Sequence, residues 1–220
     1  GTSIPPQYSD KAATELNRSG VAVKRIDASP SMDQRKASEQ RAQDLKEEQK
    51  RIAEDWNLDV GTATPPGVWN RHAMRWVTER GLGLEASTRL LAELNLAMFD
   101  ALVACWNAKM TWWTERPVTE VHERFDPAFV PHLSTPPFPG YVSGHASASG
   151  AASQVLAARL PALRDEVFAM AEEAALSRLY GGIHLRSDNE EGLKLGREVG
   201  RLVIERLDAR SSRPVQSTNR

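Results

Sequence analysis

The sequence predicts an all-α protein, built as one helical bundle, and three observations support this. Apolar residues recur at helical spacing in several long segments, and glycines and prolines fall between those segments. No segment alternates polar and apolar residues for long enough to form a sheet strand. A length of 220 residues with 40% hydrophobic content suffices for one domain with a substantial core.

The predicted helices lie between an irregular arm over residues 1–31 and a disordered tail over residues 211–220. The helical domain covers residues 32–210. Its helices are predicted over residues 33–56, 68–80, 85–112, 144–160, 162–180 and 189–207. The third is apolar almost all round its later turns, so we expect it to be the buried central helix. A polar loop with several prolines is expected between the third and fourth helices.

Composition and charge exclude several classes of function. The net charge is -1, from 28 basic and 29 acidic residues, which argues against a general nucleic-acid-binding surface and restricts any cationic site to a local pocket. The single cysteine, Cys105, forms no intramolecular disulfide and is expected to pack as a small hydrophobic residue. No apolar run approaches the roughly 20 residues that span a bilayer, so we expect no membrane span.

The N-terminus lacks the pattern of a signal peptide, which predicts a soluble chain of undetermined compartment. A longer precursor that has lost a targeting segment fits the same sequence, as does a fragment boundary at the opening Gly1.

The segment from Pro137 to Ser153 reads as a loop that leads into a closely packed helix. The first N–H groups of a helix have no internal partner and carry the positive end of its dipole. Ser143, Gly144 and His145 would therefore present donors and a titratable imidazole to an anion at this helix end. The alternative is that Ser143 is an ordinary N-cap.

Two cations stand at the end of the apolar third helix. Lys109 and Arg116 lie seven residues apart, which places them roughly on one helical face, and a buried charge there needs an anion. The alternative is pairing with one of three nearby glutamates, Glu115, Glu120 and Glu123.

Further on, Arg178 precedes a double glycine, and His184 and Asp188 follow it at one-turn spacing. Asp188 could accept a proton from one ring nitrogen of His184 and leave the other as a nucleophile or ligand. The alternative is a core arginine paired with a carboxylate and a turn histidine with its own partner.

Taken together and in order, these three groups resemble the signature of the type 2 phosphatidic acid phosphatase and vanadium-dependent haloperoxidase superfamily. The resemblance extends from about Ile52 through the last helix, about 70% of the chain. Val142 stands where the family usually has proline before Ser-Gly-His, a difference that removes no contacting group.

The resemblance implies an oxyanion site at helix ends, holding vanadate or phosphate. Lys109, Arg116 and Arg178 would neutralise the anion, Ser143 and the Gly144 N–H would donate to it, and His145 would act as acid or base. His184, oriented by Asp188, would be the apical group: a vanadium ligand in the haloperoxidases and the nucleophile that forms a phosphohistidine in the phosphatases.

Three further residues resemble the soluble haloperoxidase branch. Trp106 and Phe138 would flank a halide pocket, and Asp59 would support Arg178. The resemblance thus implies oxidation of halide, bromide or iodide more readily than chloride, by vanadate and hydrogen peroxide. Two alternatives stay open: a phosphatase acting on phosphomonoesters, and a helical interaction protein with a silent anion site.

The haloperoxidases of this family carry a further helical region ahead of the matched part. The chain is therefore expected to be a fragment, a minimal member, or a bundle completed by another subunit such as a second copy. Three further histidines, His72, His122 and His132, lack ligand-like spacing and do not predict a separate metal site.

Overall fold

A computed structural model of the chain describes residues 47–59 and 61–211. Within these residues the protein is all-α, as predicted. The helices are α1 (Glu47–Asp55), α2 (Thr64–Glu79), α3 (Leu84–Trp112), α4 (Pro117–Arg124), α5 (Gly144–Arg159), α6 (Arg164–Tyr180) and α7 (Arg186–Ser211), with a 3-10 turn at Pro161–Leu163. The predicted arm, the first half of the predicted first helix and nearly all of the predicted tail lie outside the described residues.

Helix α5 is the centre of the bundle, because α3, α6 and α7 all pack against it. Small residues make this possible, and most of its side chains from Ala146 to Ala157 are buried. At the crossing with α7 the backbones approach closely: a Cβ added at Gly150 would lie 2.5 Å from the Leu193 carbonyl oxygen. One added at Gly196 would overlap the Ser147 carbonyl oxygen. Glycine is therefore required on both sides of this contact.

Two predicted boundaries differ from the structure for reasons of proline chemistry. Helix α2 begins at Thr64, ahead of the predicted start, with prolines in its first turn where a missing N–H costs nothing. The expected proline-rich loop after α3 contains a short helix, α4, again with proline, Pro117, at its start. Helix α3 itself ends at Trp112, because Trp113 adopts a left-handed conformation with φ of 47°.

The prediction that α3 is the buried central helix is wrong, because α5 lies at the centre of the bundle and one face of α3 is exposed. One face, which includes Leu94, Met98 and Cys105, is fully buried against the bundle. On the opposite face, however, Phe99 is 65% exposed and Val103 is 56% exposed. The exposed apolar stripe consists of Leu96, Phe99, Val103, Trp106 and Met110. A helix that is apolar on every side does not show in its sequence which face packs against other helices. Within the described residues, only one face of α3 does so.

By length and composition, the stretch Leu84–Arg124 is also long and apolar enough to cross a membrane. In its most apolar 18-residue segment, 39% is buried inside the protein. Core helices of soluble proteins meet the same two criteria. Length and composition thus allow a membrane span, contrary to the expectation from sequence.

Candidate active site

Ser143 is the N-cap of α5 and ties this helix to α7. Its hydroxyl accepts the N–H of Ala146 at 3.4 Å, and its own N–H donates to the main-chain oxygen of Asp188 at 2.9 Å. Gly144 and His145 follow in the first turn, where N–H groups have no acceptor within the helix. A Cβ at Gly144 would meet nothing within 4 Å, so there is open space beside this helix start.

Lys109 lies in the last turn of α3 and is 1% exposed. Its ammonium group donates to the carbonyl oxygens of Pro139 and Gly140, each at 2.8 Å. Burial, with a smaller contribution from the neighbouring Arg116, lowers the pKa of Lys109 to about 8. An anion at this position would restore the charge that burial disfavours.

Arg116 is the N-cap of α4 and reaches the same region. Its Nε donates to the Phe138 carbonyl at 2.8 Å, and its Nη1 donates to the Ile183 carbonyl at 2.7 Å. The same Nη1 lies 3.0 Å from Nε2 of His184. Burial lowers the pKa of Arg116 to about 10. Its Nη2 is buried without a hydrogen-bond partner in the described part of the chain, as expected of a donor that awaits a ligand.

Arg178, near the end of α6, is the third buried cation. Its Nε donates to the Ser177 hydroxyl at 2.9 Å, and its Nη2 donates to the carbonyl oxygen of Ala53 in α1 at 3.0 Å. Burial lowers its pKa to about 10, while the charge of Asp59 acts to raise it. The named acceptors of all three cations are thus uncharged groups, which leaves the positive charge of the site for a ligand.

His184 and Asp188 form the predicted pair across the first turn of α7. Nδ1 of His184 lies 3.0 Å from Oδ2 of Asp188, which also accepts the N–H of Leu185 at 3.0 Å. Burial lowers the pKa of His184 to about 4, against the raising effect of Asp188, so the ring is neutral at neutral pH. A proton on Nδ1 directed at the carboxylate leaves a lone pair on Nε2.

His145 enters the site from α5. Its Nε2 is buried and has no partner among the described residues. Burial lowers the pKa of His145 well below the usual value, and Arg178 and His184 lower it further. The backbone groups of Trp56 and Asn57 oppose this shift by hydrogen bonding. In the anion-free protein the ring is therefore neutral and able to accept a proton.

The two aromatic residues predicted beside the site are adjacent. The rings of Trp106 and Phe138 lie 5.1 Å apart and are tilted by 46°. The Phe138 ring lies 5.4 Å from the Lys109 ammonium and 4.9 Å from the Arg116 guanidinium carbon. The apolar ring therefore covers two of the cations and reduces their contact with water.

Asp59 differs from its predicted place. Its side chain is exposed and accepts the amide N–H of Asn57 at 2.8 Å, whereas the main-chain oxygen of Ala53 takes the predicted position beside Arg178. Asp59 acts on the pKa of Arg178 through its charge rather than through a direct bond. The Ala53 carbonyl could not be predicted from the sequence as the acceptor for Arg178. Every residue has a main-chain carbonyl, and only the fold determines which one lies beside this arginine.

The three remaining histidines have separate partners. The His72 ring lies 5.5 Å from that of Trp76, His122 bonds to the Phe129 carbonyl, and His132 pairs with Glu54.

The family model of the PAP2 superfamily matches residues 90–211, which is more than half of the chain. The chain belongs to the PAP2 superfamily. The matched residues include every member of the site described above except Asp59 and the carbonyl-bearing end of α1. No curated protein matches the sequence significantly.

Solved structures resemble this PAP2 superfamily member over most of its length. A bacterial vanadium-dependent iodoperoxidase is 29% identical, with a TM-score of 0.71 over 84% of this chain and 51% of that one. A holo-type bacterial vanadium-dependent chloroperoxidase is 17% identical, with a TM-score of 0.67 over 94% of this chain and 50% of that one. The chain spans about half the length of these structures, and the second likeness shows the fold alone.

Proposed function

We propose that the protein is a vanadium-dependent haloperoxidase that oxidises bromide or iodide more readily than chloride. The main support is that three buried cations, the start of α5 and a neutral histidine lie around the same part of the protein. A second support is the 29% identity to an iodoperoxidase. A tetrahedral oxyanion such as vanadate fits this set, because Arg116 Nη2 and His145 Nε2 are both buried without a hydrogen-bond partner among the described residues.

Each residue has a distinct task in this proposal. Lys109, Arg116 and Arg178 would neutralise the bound oxyanion, and the first N–H groups of α5 would donate to it. His184 would hold vanadium through Nε2, the ring nitrogen that faces Arg116 rather than Asp188. Asp188 would hold the His184 ring in the tautomer that this requires.

Bound vanadate would supply the activation of hydrogen peroxide, which no side chain of the site provides. The overall reaction combines halide, hydrogen peroxide and one proton to give hypohalous acid and water. His145 would accept a proton at Nε2 as peroxide binds and return one as water leaves, which its neutral resting state permits. Trp106 and Phe138 would line the approach of halide beside the Lys109 charge.

The test is a side-by-side assay of vanadate-loaded and vanadate-free protein in phosphate-free buffer. We expect peroxide-dependent oxidation of bromide or iodide in the loaded protein and weak phosphatase activity in the vanadate-free protein. Robust phosphoester hydrolysis that vanadate blocks, without halide oxidation at any pH, would overturn the proposal.

One observation favours a second candidate, a phosphatase. The neutral His184 with its Nε2 lone pair also suits nucleophilic attack on phosphorus. The N–P bond would form as the P–O bond to the leaving alcohol breaks. His145, once protonated at Nε2, would give that proton to the leaving oxygen. It would take a proton back from the water that then hydrolyses the N–P bond. Vanadate would inhibit this enzyme as a mimic of the five-coordinate transition state.

A further inference from the structure

The C-terminal end of α1 supplies main-chain acceptors to the candidate site. The N–H of Asn57 donates to the carbonyl of Glu54 at 3.0 Å rather than to that of Ala53. The last carbonyls of a helix lack intrahelical partners, and the Ala53 carbonyl is one of them. It accepts Nη2 of Arg178 instead, at 3.0 Å, although the two residues lie 125 positions apart in the sequence.

The same stretch of backbone also acts on His145. Backbone groups of Trp56 and Asn57 stabilise the protonated ring by hydrogen bonding and so act to raise its pKa. The C-terminal end of a helix carries the negative end of the dipole, which suits both a guanidinium and an imidazolium. One short segment, residues 53–57, thus holds Arg178 by a hydrogen bond and acts to raise the pKa of His145.

One side-chain hydrogen bond connects this segment to the helix that carries Arg178. The indole Nε1 of Trp56 donates to Oε1 of Glu173 in α6 at 2.9 Å. The Trp56 ring is 7% exposed and lies 6.2 Å from that of Trp69, so its position is set by packing as well. Directly after the segment, Leu58 adopts a left-handed conformation with φ of 50° and the chain turns away.

We propose that Trp56 and Glu173 are positioning residues for the oxyanion site: their hydrogen bond fixes the end of α1, where the Ala53 carbonyl orients Arg178. Neither side chain reaches the anion in this arrangement. Without the bond, the end of α1 would be held less firmly, by packing, by the pair of His132 with Glu54 and by Arg178 itself. The acceptor that keeps the Arg178 fork directed into the site would then be less well fixed. This inference rests on the proposed oxyanion site but not on the reaction performed there.

The test measures binding of inorganic phosphate to vanadate-free protein, well below the melting temperature of each variant. Trp56→Phe keeps the ring and removes the donor, and Glu173→Ala removes the acceptor from an exposed position that tolerates truncation. We expect each to raise the phosphate Kd by about three- to tenfold, as for loss of one hydrogen bond. The double variant should be no weaker than either single one, because both remove the same bond.

Two controls separate positioning from general stability. Glu173→Gln keeps an oxygen acceptor and should leave the phosphate Kd within about twofold of the wild type. Asn95→Ala removes a pair of amide bonds to Asn70, each at 2.8 Å, between α3 and α2, and should lower Tm without changing the phosphate Kd. Lower Tm with unchanged Kd in Trp56→Phe and Glu173→Ala would overturn the inference, as would a wild type that does not bind phosphate. A wild type that binds phosphate but does not oxidise halide would overturn only the proposed function.

Discussion

Arg116 donates from Nη1 to Nε2 of His184 over 3.0 Å. A guanidinium can only donate, so Nε2 must accept and the ring proton must lie on Nδ1, facing Asp188. Arg116 therefore holds His184 in the tautomer that a vanadium ligand or a nucleophile requires. The same contact places a positive charge beside the ring nitrogen that would face a bound oxyanion.

The first prediction concerns His184→Ala. In a haloperoxidase this variant should lose tight vanadate binding and halide oxidation, while phosphate still binds through the three cations. Vanadate titration and a bromide oxidation assay measure the two effects. His122→Ala is the matched control, because His122 is exposed and bonds only to the Phe129 carbonyl among the contacts named here. Halide oxidation that survives in His184→Ala would remove His184 from the proposed site.

A second prediction concerns the partner of that histidine. Asp188→Asn keeps the size of the side chain but removes the charge that fixes the Nδ1 proton and the Leu185 N–H. We expect vanadate affinity to fall by about 10- to 100-fold, as is usual when the group behind a metal-binding histidine is changed. Asp126→Asn is the control, since its carboxylate caps only the N–H of Ala128. Equal affinities in the two variants would contradict the assigned role.

The third prediction is a pH dependence of anion binding. Sulfate keeps its charge from pH 6 to pH 10. Any change in its affinity over this range therefore reflects a change in the charge of the protein. Because the pKa of Lys109 is lowered to about 8, the ammonium loses its proton as pH rises through that value. Sulfate affinity should therefore weaken above about pH 8, by at most about tenfold per pH unit. Lys109→Gln should bind sulfate more weakly at pH 7 and flatten the profile, and an unchanged profile in that variant would contradict the prediction.

A fourth prediction concerns stability in acid. The pKa of His184 is lowered from 6.5 to about 4, and that of His145 is lowered as well. Below pH 6.5 the unfolded chain therefore binds protons that the folded chain does not. Stability present above that pH should be lost as pH falls, by at most about 1.4 kcal/mol per pH unit for each histidine. Urea unfolding at pH 7 and pH 5 measures this, and His184→Gln should reduce the difference.

The fifth prediction tests the helix crossing that positions the site. Gly196→Ala would place a methyl group against the Ser147 backbone and force α7 away from α5. We expect a loss of about 3 kcal/mol in the free energy of unfolding, together with weaker phosphate binding, because both helices carry site residues. Gly83→Ala, where a methyl group meets nothing within 4 Å, should be nearly neutral. Equal stability of the two variants would show that the crossing adapts.

The sequence predicts the helical class and most residues of the candidate site. The site residues are mainly cations and histidines, and they follow one another in the order of a family signature. The side-chain chemistry of four residues suggests a role in the site before any fold is known: Lys109, Arg116, Arg178 and His184. The acceptor beside Arg178 gives no such signal, since it is a main-chain carbonyl. Likewise, Trp56 and Glu173 are 117 positions apart and have no shared local pattern.

The burial of α3 shows a second limit. Periodicity distinguishes apolar from polar faces, and a helix that is apolar on every face offers no such contrast. The buried side of α3 is therefore the side that packs against α5 and α7, and its own sequence does not distinguish that side.

Trp106 belongs to two features at once: the exposed apolar stripe of α3 and the aromatic pair over the cations. The outer wall of the oxyanion site is consequently also a piece of the water-facing surface. Water there screens the charges of Lys109 and Arg116, whereas an apolar cover over the stripe would lower the local dielectric constant and strengthen their pull on an anion. The affinity of the site is thus sensitive to the medium that touches the outside of α3, without any change in the residues that hold the ligand.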